Sequence, residues 1–253
     1  MKGLIFAAGL GTRLKPMTDS IPKALVPVGG KPLIEHVARK LKRSGIDDAV
    51  VNVHHFADQV EEWVNSQDIM SICVSDEREK LLETGGAVLH ARRLLEGCGS
   101  FLVHNVDILS NADLRWLASQ VRPESLATLL VSRRESSRYF LFDPQTMRLV
   151  GWKNSLTGEC IMADEDICAD CCLQFAFSGI HVLSDRVFAI MDEYVKEKGL
   201  PADGLRGVRF PIRDFYLWAA RKHAIYGTVA ENLELIDVGK LDTLEKAEKF
   251  LGI

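Results

Sequence analysis

Two glycines, two basic residues and two aspartates carry the chemistry for which this sequence can be read. Gly9-Leu10-Gly11-Thr12-Arg13-Leu14-Lys15-Pro16 leaves an apolar run that begins at Gly3. Glycines let backbone N–H groups come close to phosphate oxygens, and Arg13 and Lys15 can offset the charge of a triphosphate. The loop is not a dinucleotide fingerprint, because Leu14 stands where the third glycine would be, nor a P-loop, which would end in Gly-Lys-Ser/Thr. A tight structural turn explains the same residues about as well, and Lys15 reads equally as a solvated loop lysine. In Pro22-Lys23-Ala24-Leu25-Val26-Pro27-Val28-Gly29-Gly30-Lys31-Pro32, prolines and glycines hold an extended segment, from which Lys23 can reach a phosphate out of a fixed position. Lys31 is left on the surface.

Two further runs complete the set. Glu83-Thr84-Gly85-Gly86-Ala87 opens a helix whose glycines let backbone approach a flat ring, while Glu83 and the first helical N–H groups can read base edges. A plain glycine-rich helix start is the competing explanation. His104-Asn105-Val106-Asp107 and Ile236-Asp237-Val238-Gly239 each set an aspartate at the end of an apolar run. Magnesium takes oxygen ligands, usually one or two carboxylates together with substrate phosphates, so two aspartates from distant strand ends can form one site. Taken singly, each aspartate would serve as well in a cap or turn.

The elements that must position these residues follow from periodicity. Gly3–Ala8 reads as a buried strand, Pro32–Ser44 as a helix with Leu33, Ile34, Val37, Ala38 and Leu41 on one face, and Gly45 as its stop. Ala49–Val53 and Ile69–Val74 read as strands around a helix at Ala57–Val64. Thr84 is placed to cap a helix through Leu95, and Phe101–Val103 makes the next strand. This alternation predicts an α/β fold, a Rossmann-like three-layer mixed sheet in which ligands bind beyond the carboxyl ends of the strands. Arg133–Leu173, with turn residues at Asp143-Pro144 and Asn154–Gly158, breaks the rhythm and reads as irregular strands and loops inserted into the sheet. Ile212–Ala220 is an expected helix, Ile225–Val229 a strand, and Asp242 with Glu245 a capping box for a last helix through Leu251.

The order Gly-Leu-Gly-Thr-Arg-Leu, then Pro-Lys-Ala-Leu-Val-Pro-Val, then Gly-Lys-Pro-Leu-Ile-Glu-His resembles the N-terminal signature of sugar-1-phosphate nucleotidyltransferases. The resemblance implies a nucleotide-diphospho-sugar transferase fold of the GT-A type and transfer of a nucleoside monophosphate unit from an NTP to a sugar 1-phosphate. It implies that Gly9, Gly11 and Arg13 contact the NTP phosphates with Ala8 and Thr12 beside them, and that Lys23 and Arg13 stabilise charge at the reacting phosphate. Glu83, Gly85 and Gly86 would lie along nucleobase and ribose, Asp107 and Asp237 would hold magnesium, and Gly179, in Phe177-Ser178-Gly179-Ile180, would lie near the acceptor, although a glycine within a strand also marks an ordinary bulge; Asn105 reads as a contact to ribose or acceptor, or as a residue that holds the turn. Val106 stands where family members often have glycine. Among short members the Glu-Thr-Gly-Gly and Asp-Val-Gly runs are most similar to N-acetylmuramate-1-phosphate uridylyltransferases, which implies UTP and a role in peptidoglycan recycling. Mannose- or heptose-1-phosphate guanylyltransferases come second. Choline-phosphate cytidylyltransferases share the opening loop but fit Glu-Thr-Gly-Gly poorly. A regulatory subunit that kept the fold and lost turnover is the reading of another class, and Arg13, Lys23, Asp107 and Asp237 speak against it.

Size and composition set the frame. The 253 residues suit one domain, about 1–110 forming the nucleotide half and 111–253 the acceptor half, with no room for an added β-helix. A net charge of −4 argues against general nucleic-acid binding. The longest apolar runs, such as Leu4–Leu10 and Leu126–Val131, are strand-sized, well short of the roughly 20 residues that span a bilayer. Only Lys2 precedes the first apolar run, unlike a signal peptide, and six cysteines without an export signal read as reduced thiols. The expected setting is cytoplasmic, without membrane or nucleic-acid partners, as a monomer or homodimer. Cys168, Cys171 and Cys172, with Cys160 upstream, lack a second spaced ligand pair for zinc. His54-His55 is expected to shape a turn, and the aromatic residues of Phe210–Ala220 to pack a helix or a subunit contact.

Overall fold

Leu4, Val50, Phe101 and Val103 pack on one face of a central sheet and their neighbours Ile5, Val51 and Leu102 on the other, the alternation of strands buried on both faces. The computed structural model describes residues 1–201 and 207–252. In chain order the elements are β1 (Lys2–Phe6), the short pair β2 (Pro27–Val28) and β3 (Lys31–Pro32), α1 (Leu33–Arg43), β4 (Asp48–Val53), α2 (Ala57–Ser66) and β5 (Ser71–Asp76). They continue with α3 (Glu83–His90), α4 (Arg92–Leu95), β6 (Ser100–Asn105), β7 (Ile108–Ser110), α5 (Leu114–Ser119) and β8 (Ser125–Ser132). The remainder is β9 (Arg138–Phe142), β10 (Leu149–Asn154), β11 (Cys160–Met162), β12 (Leu173–Ser184), α6 (Val187–Glu197), α7 (Ile212–Ala219), β13 (Ala224–Val229), β14 (Leu235–Asp237) and α8 (Leu244–Leu251).

Parallel pairing joins β1 to β4 and β6, and β4 to β5. Strand β12 runs antiparallel to β6 and continues the sheet through β9, β10 and β11, while β8 pairs with β12 and, in parallel, with β13. Helices α3, α6 and α7 cover one face through Val88, Phe188 and Phe215; α1, α2, α5 and α8 cover the other through Leu41, Val60, Leu117 and Ala247. The result is the expected three-layer mixed α/β fold. The carboxyl ends of β1, β4, β5 and β6 point to one edge, where the loops that follow them must meet. Among the described residues no helix is long and apolar enough to cross a membrane.

Helix α1 buries the five apolar residues named from its periodicity. Several local expectations differ from what is observed. The expected single helix from Thr84 to Leu95 is broken after His90, whose Nε2 is tied to the Asp76 carbonyl at 2.9 Å, and resumes as α4. Thr84 is no cap: its hydroxyl accepts the Ile212 N–H at 3.0 Å and so docks α7. The stretch 133–173 does contribute strands and loops to the sheet: β9 to β11 form an antiparallel extension with a register shift between Leu149 and Gly151, more ordered than expected because Phe140, Phe142 and Trp152 are buried. Its turns are where expected, with Asp143 and Asn154 accepting N–H groups two residues on. Asp242 and Glu245 form no capping box; α8 starts at Leu244, and the Thr243 hydroxyl instead donates to the Lys240 carbonyl at 2.7 Å. In α7, Tyr216 is fully buried and Trp218 packs on Tyr194 with ring centroids 5.3 Å apart, so these aromatics pack a helix. His54 Nδ1 lies 2.7 Å from the Glu77 carbonyl and links the ends of β4 and β5. Among the described residues all six cysteines are free thiols, and no cluster of three or more metal-binding side chains exists.

Candidate active site

The chain leaves β1 through Ala7 and Ala8 into a loop that needs glycine at position 11. Gly11 has φ 64°, and a Cβ there would stand 2.8 Å from Thr18 Cγ2. Thr18 in turn donates to the Gly11 carbonyl at 2.8 Å, locking the loop. Gly9 differs, since a Cβ there would meet nothing within 4 Å. Its face opens on a cavity of about 370 Å³ that is also bordered by Ala8, Lys23, Glu83, Asn105 and Asp107. Thr12 and Arg13 lie on the exposed turn that follows, and Lys15 is exposed and paired with Asp19 at 3.0 Å.

Lys23 is 8% exposed, and its ammonium is paired with the Asp107 carboxylate. The segment 22–26, fixed by Pro22 and a short helical turn, holds that lysine against the cavity wall. Asp107 follows β6, whose continuation β7 pairs antiparallel with β14, so Asp237 stands opposite Ile108. The Val238 N–H donates to the Asp107 carbonyl at 2.8 Å. Two aspartates far apart in the chain thus become neighbours. Burial first, then the charge of Asp107, pushes the Asp237 carboxyl above its ordinary value, while Lys23, Arg13 and Arg134 pull it down. A Cβ at Gly239 would stand 2.7 Å from Asp237 Oδ1 and 2.8 Å from a guanidinium nitrogen of Arg13. Arg13, Lys23, Asp107 and Asp237 therefore form one cluster of two cations and two anions. A pair of mutually repelling carboxylates with open sides is a hard-oxygen donor set of the kind magnesium takes when phosphates complete its shell.

The glycines of α3 have another environment. A Cβ at Gly85 would stand 2.4 Å from the Phe210 ring, and one at Gly86 2.0 Å from the Val208 carbonyl. Both N–H groups are donated to the Phe210 carbonyl, at 2.9 and 3.1 Å. The close approach that these glycines permit is made here by the chain's own 208–210 segment. Glu83, beside them, is paired with Arg209 at 2.6 Å. Gly179, with φ 77°, faces the Asn105 amide, which a Cβ would approach to 2.7 Å, so it shapes the wall through Asn105.

Three polar residues at or beside this wall were not found from the sequence. Asn52 accepts the Ala7 N–H at 2.7 Å and donates to Glu77 at 2.9 Å. It thereby ties the start of the phosphate-type loop to the end of β5. Both are buried, and burial pushes the Glu77 carboxyl up to about 7. The one available signal was an asparagine inside the apolar run 49–53. Arg134 is the third, with one N–H donated to the Phe177 carbonyl at 2.8 Å and burial lowering its pKa. His104 is fully buried and its pKa is pushed down to about 4 by desolvation, so it stays neutral and is no acid–base group at pH 7.

Residues 2–140 match the family described as Nucleotidyl transferase. Over 108 residues the chain is 47% identical to the N-acetylmuramate alpha-1-phosphate uridylyltransferase of Caulobacter vibrioides, covering 41% of this chain and 44% of that protein. Over 115 residues it is 39% identical to the protein of the same name from Neisseria meningitidis serogroup B, covering 45% of this chain and 49% of that one. The matched stretch thus spans less than half the length of each of these relatives. In three dimensions the chain is similar to a UDP-glucose pyrophosphorylase from Acinetobacter baumannii, with TM-score 0.76 and 18% identity over 99% of this chain and 93% of that one. At that identity the likeness concerns the fold.

Proposed function

The chain belongs to the nucleotidyl transferase family, and from that premise we propose that it transfers a uridylyl group from UTP to N-acetylmuramate 1-phosphate and releases pyrophosphate. The observation that carries this reading is the cluster of Lys23, Asp107, Asp237 and Arg13 at the edge of a cavity bordered by Gly9. Nucleotidyl transfer needs positive charge around an α-phosphorus and a carboxylate pair for a divalent cation, and little other chemistry from the protein. The names of the two relatives support the choice of base and sugar. The wider setting we assign is cytoplasmic sugar-nucleotide metabolism of the cell wall.

In this mechanism the backbone around Gly9 and Gly11, with Ala8 and Thr12 beside it, binds the triphosphate, and Arg13 neutralises part of its charge. Glu83 and Thr84, at the start of α3, flank the base and ribose, while Gly85 and Gly86 let segment 208–210 pack against that helix start and hold it in place. Lys23 is released from Asp107 to offset the charge that builds on the α-phosphate. An oxygen of the acceptor phosphate, placed near Asn105 and Gly179, attacks the α-phosphorus in line. The bond from that phosphorus to the bridging oxygen breaks, and pyrophosphate leaves with the electron pair. The acceptor oxygen is already anionic, so no general base is required. Asp107 and Asp237 would hold magnesium, which when bound would screen the phosphate charges and orient the reactants.

The test is pyrophosphate release with magnesium, crossing UTP, GTP, CTP, ATP and dTTP against sugar 1-phosphates including N-acetylmuramate 1-phosphate and mannose 1-phosphate. Turnover is expected with UTP and N-acetylmuramate 1-phosphate. Turnover confined to another pair would replace the substrates named here. Silence across the panel with NTP binding retained would overturn the catalytic reading in favour of a binding subunit.

A further inference from the structure

A second cavity, of about 400 Å³, lies beside the first, and Pro211 borders both. Three arginines line it, Arg134 from the segment after β8, Arg138 from the start of β9 and Arg213 from α7, together with Phe140 and Trp152. Guanidinium groups around one small cavity repel one another unless anions intervene. Arg213 is paired with Asp214 at 2.7 Å and stacks on Trp152, its central carbon 4.5 Å from the ring centroid. The Nε of Arg134 is buried with no hydrogen-bond partner among the described residues. The guanidinium of Arg138 is exposed and, among the described residues, has neither an acidic nor a hydrogen-bonding partner. Asp214 offsets Arg213 and Asp237 lies near enough to Arg134 to act on its charge, whereas Arg138 has no such counter-charge among the described residues, so donors and positive charge are left unspent in a pocket with an aromatic floor.

The reacting phosphates do not account for this charge. A sugar 1-phosphate attacking the α-phosphorus must place its phosphate at Lys23 and Asp107, which border the first cavity and not the second. Across Pro211, the second cavity is in position to receive the part of the acceptor remote from that phosphate. A guanidinium fork matches a carboxylate in two parallel hydrogen bonds, and arginine holds such a group where lysine offers only a point charge. We propose that this pocket binds a carboxylate on the acceptor sugar, with Arg138 and Arg213 as the residues that select an acidic sugar 1-phosphate over a neutral one. The inference rests on the acceptor reading given under the proposed function.

Two acceptors isolate the effect. N-acetylmuramate 1-phosphate carries a 3-O-lactyl group ending in a carboxylate, and N-acetylglucosamine 1-phosphate is the same sugar phosphate without the lactyl group. Binding of each is measured by titration calorimetry on the full chain, wild type, Arg138→Met and Arg213→Lys, with pyrophosphate release from UTP followed in parallel. Wild type is expected to favour the carboxylated sugar by about tenfold or more, the yield of charge-assisted hydrogen bonds, and each variant is expected to bring the ratio towards one. Equal binding of the two sugars by the wild-type protein overturns the proposal, as does a ratio that both variants leave intact. A binding preference without any pyrophosphate release supports the pocket and counts against the transferase reading. Release with both sugars at equal efficiency and equal affinity keeps the transferase and removes the pocket.

Discussion

Replacing Glu77 by glutamine is expected to leave stability nearly unchanged at pH 5 and to raise it at pH 8. Glu77 is 3% exposed, and desolvation pushes its carboxyl from the ordinary 4.5 to about 7, against the pull of hydrogen bonds from Asn52 and the Leu82 N–H. The folded state therefore favours the protonated acid. Stability from this group is fully present below pH 4.5, falls by about 1.4 kcal/mol per pH unit between 4.5 and 7, and is lost above 7, because in that window the unfolded chain binds fewer protons than the folded one. The total from 4.5 to about 7 is about 3 kcal/mol, of which roughly 2–3 kcal/mol falls between pH 5 and 8. Glutamine does not titrate, but its amide cannot accept from both Asn52, at 2.9 Å, and the Leu82 N–H, at 3.3 Å, a loss of about 1 kcal/mol. The net expectation is near-equality at pH 5 and a variant more stable by about 2 kcal/mol at pH 8. Urea unfolding of both proteins at pH 5, 6, 7 and 8, followed by circular dichroism, reads the difference directly. A difference between the two proteins that does not change with pH would refute the reasoning, whatever its size.

Three further perturbations probe the site. Asp107→Asn is expected to lower turnover by about 10²–10³-fold or more with an unchanged dichroism spectrum; a folded variant with near-normal activity would remove Asp107 from the metal site. Exhaustive chelation should abolish pyrophosphate release and added magnesium should restore it, so persistent activity in chelator would exclude the divalent-cation reading. Gly86→Ala places a methyl group 2.0 Å from the Val208 carbonyl and is expected to cost about 1–3 kcal/mol by overpacking, seen as a lower melting temperature. An unaltered melt would show that segment 208–210 does not press on α3.

Periodicity in the sequence determined most of the architecture. The alternation at Leu4 and Ile5 and at Val50 and Val51, and the apolar stripe of α1, are imposed by local backbone geometry and by burial, which is why their positions were legible within a residue or two. The phosphate-type loop and the segment around Lys23 were legible for a similar reason, since glycine and proline restrict the backbone where they stand. Positions that depend on a partner were not. A threonine at a helix start can cap it or bond elsewhere, and Thr84, which lies inside α3, receives the N–H of Ile212. A run of alternating aromatics with turn residues can be loop or sheet, and β12 supplies the edge on which β9 pairs.

At the site the division is sharper. Residue type alone made Asp107 and Asp237 candidates for a cation, because hard ions need carboxylate oxygens, but only the register of β7 against β14 makes them neighbours. Gly85 and Gly86 announce a close approach in any context, while the identity of what approaches, here Phe210 and Val208, belongs to the packing. The Asn52–Glu77 bond and the arginines of the second cavity come from elements distant in the chain, and no spacing rule links them. Short-range sterics are written residue by residue, whereas charge, burial and pKa depend on which distant side chains share a volume, and that is decided only when the sheet and its two helical layers close.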